Sequence, residues 1–160
     1  AASDVYKRQV QAVHGTSDGP WIPSRLGEER AKDTSQPWRT LFETGALITN
    51  GTDVPVERID PIASYYSSVT RRMINGDEFY PEHIMTRREA LETYTINGAY
   101  SAFEEDIKGS LTPGKYADFV ILSKNLLTVS YEEILSAEVE MTYVGGDLKF
   151  QRYQTNLLSQ

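Results

Sequence analysis

The sequence predicts an α/β protein that closes in a small β-rich tail. Three observations carry that reading. Between residues 10 and 108, short β-prone runs alternate with segments whose apolar residues recur at helical spacing, as in βαβ units. From residue 109 the chain turns to Gly, Pro and Ser and then to β-prone runs around a Gly-Gly pair. Composition is that of a globular chain, 39% hydrophobic and 24% charged over 160 residues.

The elements follow in order. Residues 1–9 have weak patterning and read as a scar or disordered start. Val10-Gln11-Ala12-Val13 reads as a strand ending at His14-Gly15, and Thr16 to Pro23 as a loop holding Gly19 and Pro20. Leu26 to Arg30 reads as a turn of helix. A longer helix follows Ser35, with Trp38, Leu41 and Phe42 on one face and Gly45 as its left-handed stop. Ala46-Leu47-Ile48-Thr49 reads as a second, buried strand, and parallel pairing with a right-handed crossover is the default for such a unit. Asp60 and Pro61 open the next helix, with Ile62, Tyr65, Tyr66, Val69 and Met73 on one stripe and a break at Gly76-Asp77. Thr86 and Glu89 are spaced as a capping box for a helix running to about Gly98. In the tail, Ala117 to Leu122 reads as a strand and Tyr131 to Ser136 as a short helix. Val139–Val144 and Asp147–Arg152 flank Gly145-Gly146, a loop suited to a type I′ hairpin. Residues 153–160 read as a frayed terminus.

Composition excludes several functions. With 16 Lys+Arg against 23 Asp+Glu, the net charge of −7 argues against nucleic acid or anionic lipid as a main partner. The absence of cysteine removes disulfides, Cys-ligated zinc and thiol nucleophiles, and two histidines cannot complete a His-rich metal site. No run approaches the ~18 apolar residues of a membrane span. No secretory pattern is visible at the start, so the expected location is the cytoplasm.

Ligands of βαβ units sit beyond the carboxyl ends of the strands. His14 and Asp53 both fall just past the two expected strand ends, on one face of the sheet. By spacing alone Asp53 reads first as part of a Gly-Thr-Asp turn. His14 reads equally as a substrate group or as a strand-end histidine bonded to a carbonyl. Asp18 and Asp53 could also be a glycosidase carboxylate pair, a distant third reading. Trp21 and Trp38 read as core or pocket wall, and His83 as a solvated residue before a helix.

Four stretches taken in series resemble the amidohydrolase superfamily, in particular its metal-dependent amidohydrolase family 3 branch. They are Val10–His14 with Thr16-Ser17-Asp18; Arg25–Arg30 with Gly51–Val56; Glu89-Ala90-Leu91 to Tyr94–Asn97; and Gly109–Lys115 with Ala117-Asp118 and the late Gly145-Gly146. The resemblance implies the last two βα units of a (β/α)8 TIM-type barrel over 10–108. Over 109–152 it implies the C-terminal part of a small composite β-sandwich. A complete barrel takes roughly 250 residues, so the chain is expected to be a C-terminal fragment whose other metal ligands lie elsewhere. The implied activity is hydrolysis of a non-peptide carbon–nitrogen bond, amide or formamide, by metal-activated water, with the isolated fragment inactive. The implied cofactor is a divalent metal, zinc, with Asp53 as ligand and proton shuttle. His14 and Asp18 would bind a small amide-type substrate. A homo-oligomeric full-length protein is left open, as are two other classes: a catalytically inactive relative, or an α/β binding module unrelated to the family.

Overall fold

The computed structural model describes residues 7–153. Strand β1 (Lys7–Val10) is followed by helices α1 (Ala12–Ser17), α2 (Ile22–Leu26), α3 (Glu28–Thr34) and α4 (Trp38–Glu43). Strand β2 (Leu47–Asn50) then leads through a loop to α5 (Pro61–Thr70), a single 3-10 turn at Pro81–His83, α6 (Arg87–Tyr94) and α7 (Ile96–Ser101). The tail comprises β3 (Phe119–Leu122), α8 (Tyr131–Ile134), β4 (Val139–Val144) and β5 (Asp147–Gln151). β1 and β2 pair in parallel, Lys7 opposite Leu47 and Val10 opposite Asn50. The tail strands form a separate antiparallel sheet in the order β3-β4-β5.

Several expectations meet this fold directly. α4 ends in a Schellman motif: Gly45 sits at φ 76, its N–H reaches the carbonyl of Phe42, and that of Ala46 reaches Leu41. Asp60 caps α5 by accepting from the amides of Ile62 (3.0 Å) and Ala63 (3.1 Å), with Pro61 in the first turn. Thr86 and Glu89 make the reciprocal capping box of α6. Gly145 and Gly146 take φ 60 and 85, the two positive values a type I′ hairpin requires. Their amides are held by the Asp118 carboxylate (2.7 Å) and the Ala117 carbonyl (3.1 Å).

Other expectations are corrected. The first strand does not run over Val10–Val13. It occupies Lys7–Val10, drawing in residues read as a disordered start, and the chain is already helical at Ala12. The cause is long-range: β2 supplies the parallel partner for Lys7–Val10, and the Asn50 side chain takes the Ala12 amide. The expected loop from Thr16 to Pro23 is in part helical for the same reason, since Thr16 closes α1 with its hydroxyl on Ser67 of α5 (2.9 Å). α5 stops at Thr70, before Met73. Arg71 there adopts φ 50, and its buried guanidinium donates to the carbonyls of Phe79 and of Gln36 (Nη1, 3.0 Å) while lying 4.3 Å from the Trp38 ring centre. Burial, only partly offset by the Glu82 charge, pushes Arg71 down to about 10. The helix expected to reach Gly98 breaks at Thr95 (φ −123, ψ −97), which lets Asn97 donate to the Ile48 carbonyl of β2 (2.9 Å). His83 is buried, not solvated, and Trp21 is 49% exposed and so no part of the core.

One apolar cluster joins the two halves of the chain: Val10, Ile48, Trp38, Tyr65 and Met85 meet Leu126, Ile134 and Ala137 from the tail. At roughly 1.5–3 kcal/mol per fully buried large side chain, this cluster outweighs any single polar contact in fixing β1 and β2 against α5 and α6.

Candidate functional site

Parallel pairing places the carboxyl ends of β1 and β2 side by side, and the segments leaving them are α1 and the loop 51–60. Asn50, the last residue of β2, ties them together. Its Oδ1 accepts from the amides of Ala12 (3.1 Å) and Gly51 (3.0 Å), and its Nδ2 donates to the Ser68 hydroxyl (3.0 Å). A second tie is the Ser17 hydroxyl, at the end of α1, donating to the Glu57 carboxylate (2.6 Å). Neither Asn50 nor Glu57 stood out in the sequence. The only local signal was an Asn before Gly at a strand end.

The three residues singled out from sequence all lie at this rim, in altered settings. His14 is in the first turn of α1 and not at a strand end; its Nε2 is buried and meets no hydrogen-bond partner among the described residues. Asp18 is the C-cap of that helix, its amide donating to the His14 carbonyl (2.9 Å), so the two share one helical turn. Asp53 lies in the neighbouring loop at φ 57, a left-handed position that Asp tolerates better than most residues. Its carbonyl accepts from the Val56 amide (2.8 Å), closing a turn that leaves the side chain in solvent. No ion pair among the described residues engages that carboxylate. The turn is not the Gly51-Thr52-Asp53 turn read from spacing: it runs from Asp53 to Val56, and it presents the carboxylate outward.

The fit to a metal is correspondingly partial. Among the described residues no group of three or more His, Cys, Asp and Glu side chains is gathered around a common point. Asp53 offers one unengaged anionic oxygen donor, and a catalytic zinc takes about three protein ligands. Among the described residues there is one exposed carboxylate at the rim and no gathered ligand set.

Residues 7–149 match the family described as "Amidohydrolase family". The chain belongs to the amidohydrolase family. Among similar proteins, LONG AFTER FAR-RED 3 of Arabidopsis thaliana is 39% identical over 141 residues, covering 86% of this chain and 24% of that protein. N-substituted formamide deformylase of Arthrobacter pascens is 28% identical over 116 residues, covering 72% of this chain and 21% of that protein. The crystal structure of an uncharacterized metal-dependent hydrolase from Pyrococcus horikoshii OT3 superposes with a TM-score of 0.68 at 28% identity, over 81% of this chain and 27% of that one. This amidohydrolase-family chain thus spans about a quarter of the length of the proteins it matches.

Proposed function

We propose that the chain forms the C-terminal end of a metal-dependent amidohydrolase that hydrolyses a non-peptide carbon–nitrogen bond of an amide or formamide. In this reading β1 and β2 are the last two strands of a (β/α)8 barrel, and β3–β5 are the C-terminal share of a composite β-sandwich. The observation that carries it is Asp53: an unengaged carboxylate just past the end of a parallel strand, within a family match over residues 7–149. The likeness to a formamide deformylase and to a metal-dependent hydrolase supports the substrate class and the metal.

Asp53 would hold the metal, zinc, as one of several ligands, the rest coming from residues outside this chain. Bound zinc would contribute Lewis acidity, bringing the pKa of water to about 7 so that hydroxide is available as the nucleophile near neutral pH. Asp53 would take the proton of the attacking water and return it to the leaving nitrogen, which departs poorly as an anion. His14, with a buried nitrogen in need of a partner, would meet the substrate or its developing oxyanion, and Asp18 would orient the substrate from the end of the same helical turn. The test is Asp53→Asn in the full-length, zinc-loaded protein, assayed on a panel of simple amides and formamides. The reading stands if turnover is lost while the melt is retained, and it falls if turnover stays near parental.

A further inference from the structure

We infer that Asn50 is the positioning residue for this site, setting His14 and Asp53 together through one side-chain amide; its catalytic consequence rests on the proposed hydrolase reading. Val10 faces Asn50 in register, and the Val10 carbonyl accepts from the Gly51 amide (3.1 Å), which is the last rung before the strands part. Past it β1 must turn into α1. The N-cap residue of that helix, Gln11, gives no side-chain cap, so the leading amide of α1 has no partner of its own. That amide belongs to Ala12, which is fully buried, and a buried orphan donor there would oppose helix formation.

Asn50 resolves this from 38 residues away by accepting the Ala12 amide, and the same oxygen accepts the Gly51 amide that begins the Asp53 loop. With two N–H donors facing Oδ1, the other end of the amide must be the NH2, and it points at Ser68. The Ser68 hydroxyl in turn donates to the Ser64 carbonyl (2.9 Å) inside α5. One planar group is thus held from three elements, and the first turns of both site segments hang from it. His14 lies two residues beyond Ala12, and Asp53 three beyond Asn50. Leu at this position could make none of the contacts, Ser would be too short, and Asp would keep the acceptor while losing the donor. A reacting group misplaced by about 1 Å can cost ~10²-fold in rate, so a residue that sets two such groups at once bears on turnover without touching substrate.

The test compares Asn50→Leu, Asn50→Asp and Ser68→Ala in the full-length zinc-loaded protein, with Asn97→Leu as control. Asn97 also donates to β2, and among the described residues it hydrogen-bonds to neither site segment. Amide exchange is followed at Ala12–Ser17 and Gly51–Val56, beside kcat and KM. Asn50→Leu is expected to speed exchange in both segments by about tenfold or more and to lower kcat about 10²-fold with little change in KM. Asn50→Asp, which keeps the acceptor, should restore protection at Ala12 and Gly51 and most of kcat, and Asn97→Leu should leave both segments protected. Should Asn50→Leu fail to fold, Asn50→Asp and Ser68→Ala decide alone: Asn50→Asp must keep Ala12 and Gly51 protected, and Ser68→Ala, which removes the acceptor of the Nδ2 end, must speed exchange at both. Parental exchange in Asn50→Leu, or loss of protection in Asn50→Asp, overturns the assignment. Faster exchange in Asn50→Leu together with undiminished turnover in Asp53→Asn would instead sink the hydrolase reading and leave the positioning role standing.

Discussion

Asp53 and Glu89 show how differently a carboxylate behaves when it is left open and when it is clamped. Asp53 faces solvent from a left-handed turn, so Asp53→Asn should leave stability nearly unchanged while lowering kcat by about 10²–10⁴-fold, the usual loss when a general acid–base is removed. Parallel melts and assays of the full-length protein check both halves of that expectation. Glu89 closes the capping box of α6 and also takes both arms of Arg39, Nη1 and Nη2 at 2.8 Å each. The Arg39 guanidinium first, and the Thr86 amide and hydroxyl after it, hold the Glu89 carboxyl at about 2. Its folded value lies below its unfolded one, so the stability it contributes is present above about pH 4.5 and is lost as pH falls toward 2. Glu89→Gln should therefore flatten the acid limb of a stability-against-pH curve measured by urea unfolding between pH 5 and 2, and an unchanged slope would count against the clamp. The capping role of Glu89 was legible because Thr86 and Glu89 are three residues apart. The start of α1 was not legible, because the group that decides it, Asn50, is 38 residues from Ala12.

At the scale of elements the same rule separates what could be read from what could not. The Schellman stop of α4, the Asp60-Pro61 start of α5 and the Gly145-Gly146 hairpin each depend on side chains and φ angles within a few residues. The early end of α5 depends instead on Arg71 finding Gln36, Trp38 and Phe79, and the break at Thr95 accompanies the reach of Asn97 to Ile48. The series of motifs that marked the family needed only sequence order, and so it survived the local misreadings of strand and helix. For the hairpin, an added Cβ at Gly146 meets nothing nearer than the Ala117 Cβ at 3.9 Å, and one at Gly145 meets open space. Gly145→Val and Gly146→Val should consequently cost roughly 1 kcal/mol or more each through the positive φ alone. Urea unfolding of the full-length protein measures it, and a change well under that figure would mean the turn relaxes at no cost.

Taken whole, the molecule leaves apolar surface open around its tail sheet. Val120, Ile121, Leu148 and Phe150 are each between 43% and 54% exposed, and a cleft of about 870 Å³ opens between α6–α7 and β3. We expect the 160-residue chain expressed alone neither to hold zinc tightly nor to hydrolyse an amide, and to self-associate or bind hydrophobic dyes. A monomer with one tightly held zinc and measurable hydrolysis would show the chain to be a complete domain and the proposed reading wrong. The stacking of Arg71 on Trp38 makes that comparison readable by light. The protein has two tryptophans, one sealed under a guanidinium at 0% exposure and one, Trp21, 49% exposed. Emission should thus divide into a blue-shifted population that acrylamide barely quenches and a red-shifted population that it quenches freely. Loosening of the α4–α5 contact would merge the two before any helix is lost, so the indole under Arg71 is a built-in gauge of whether the core has set.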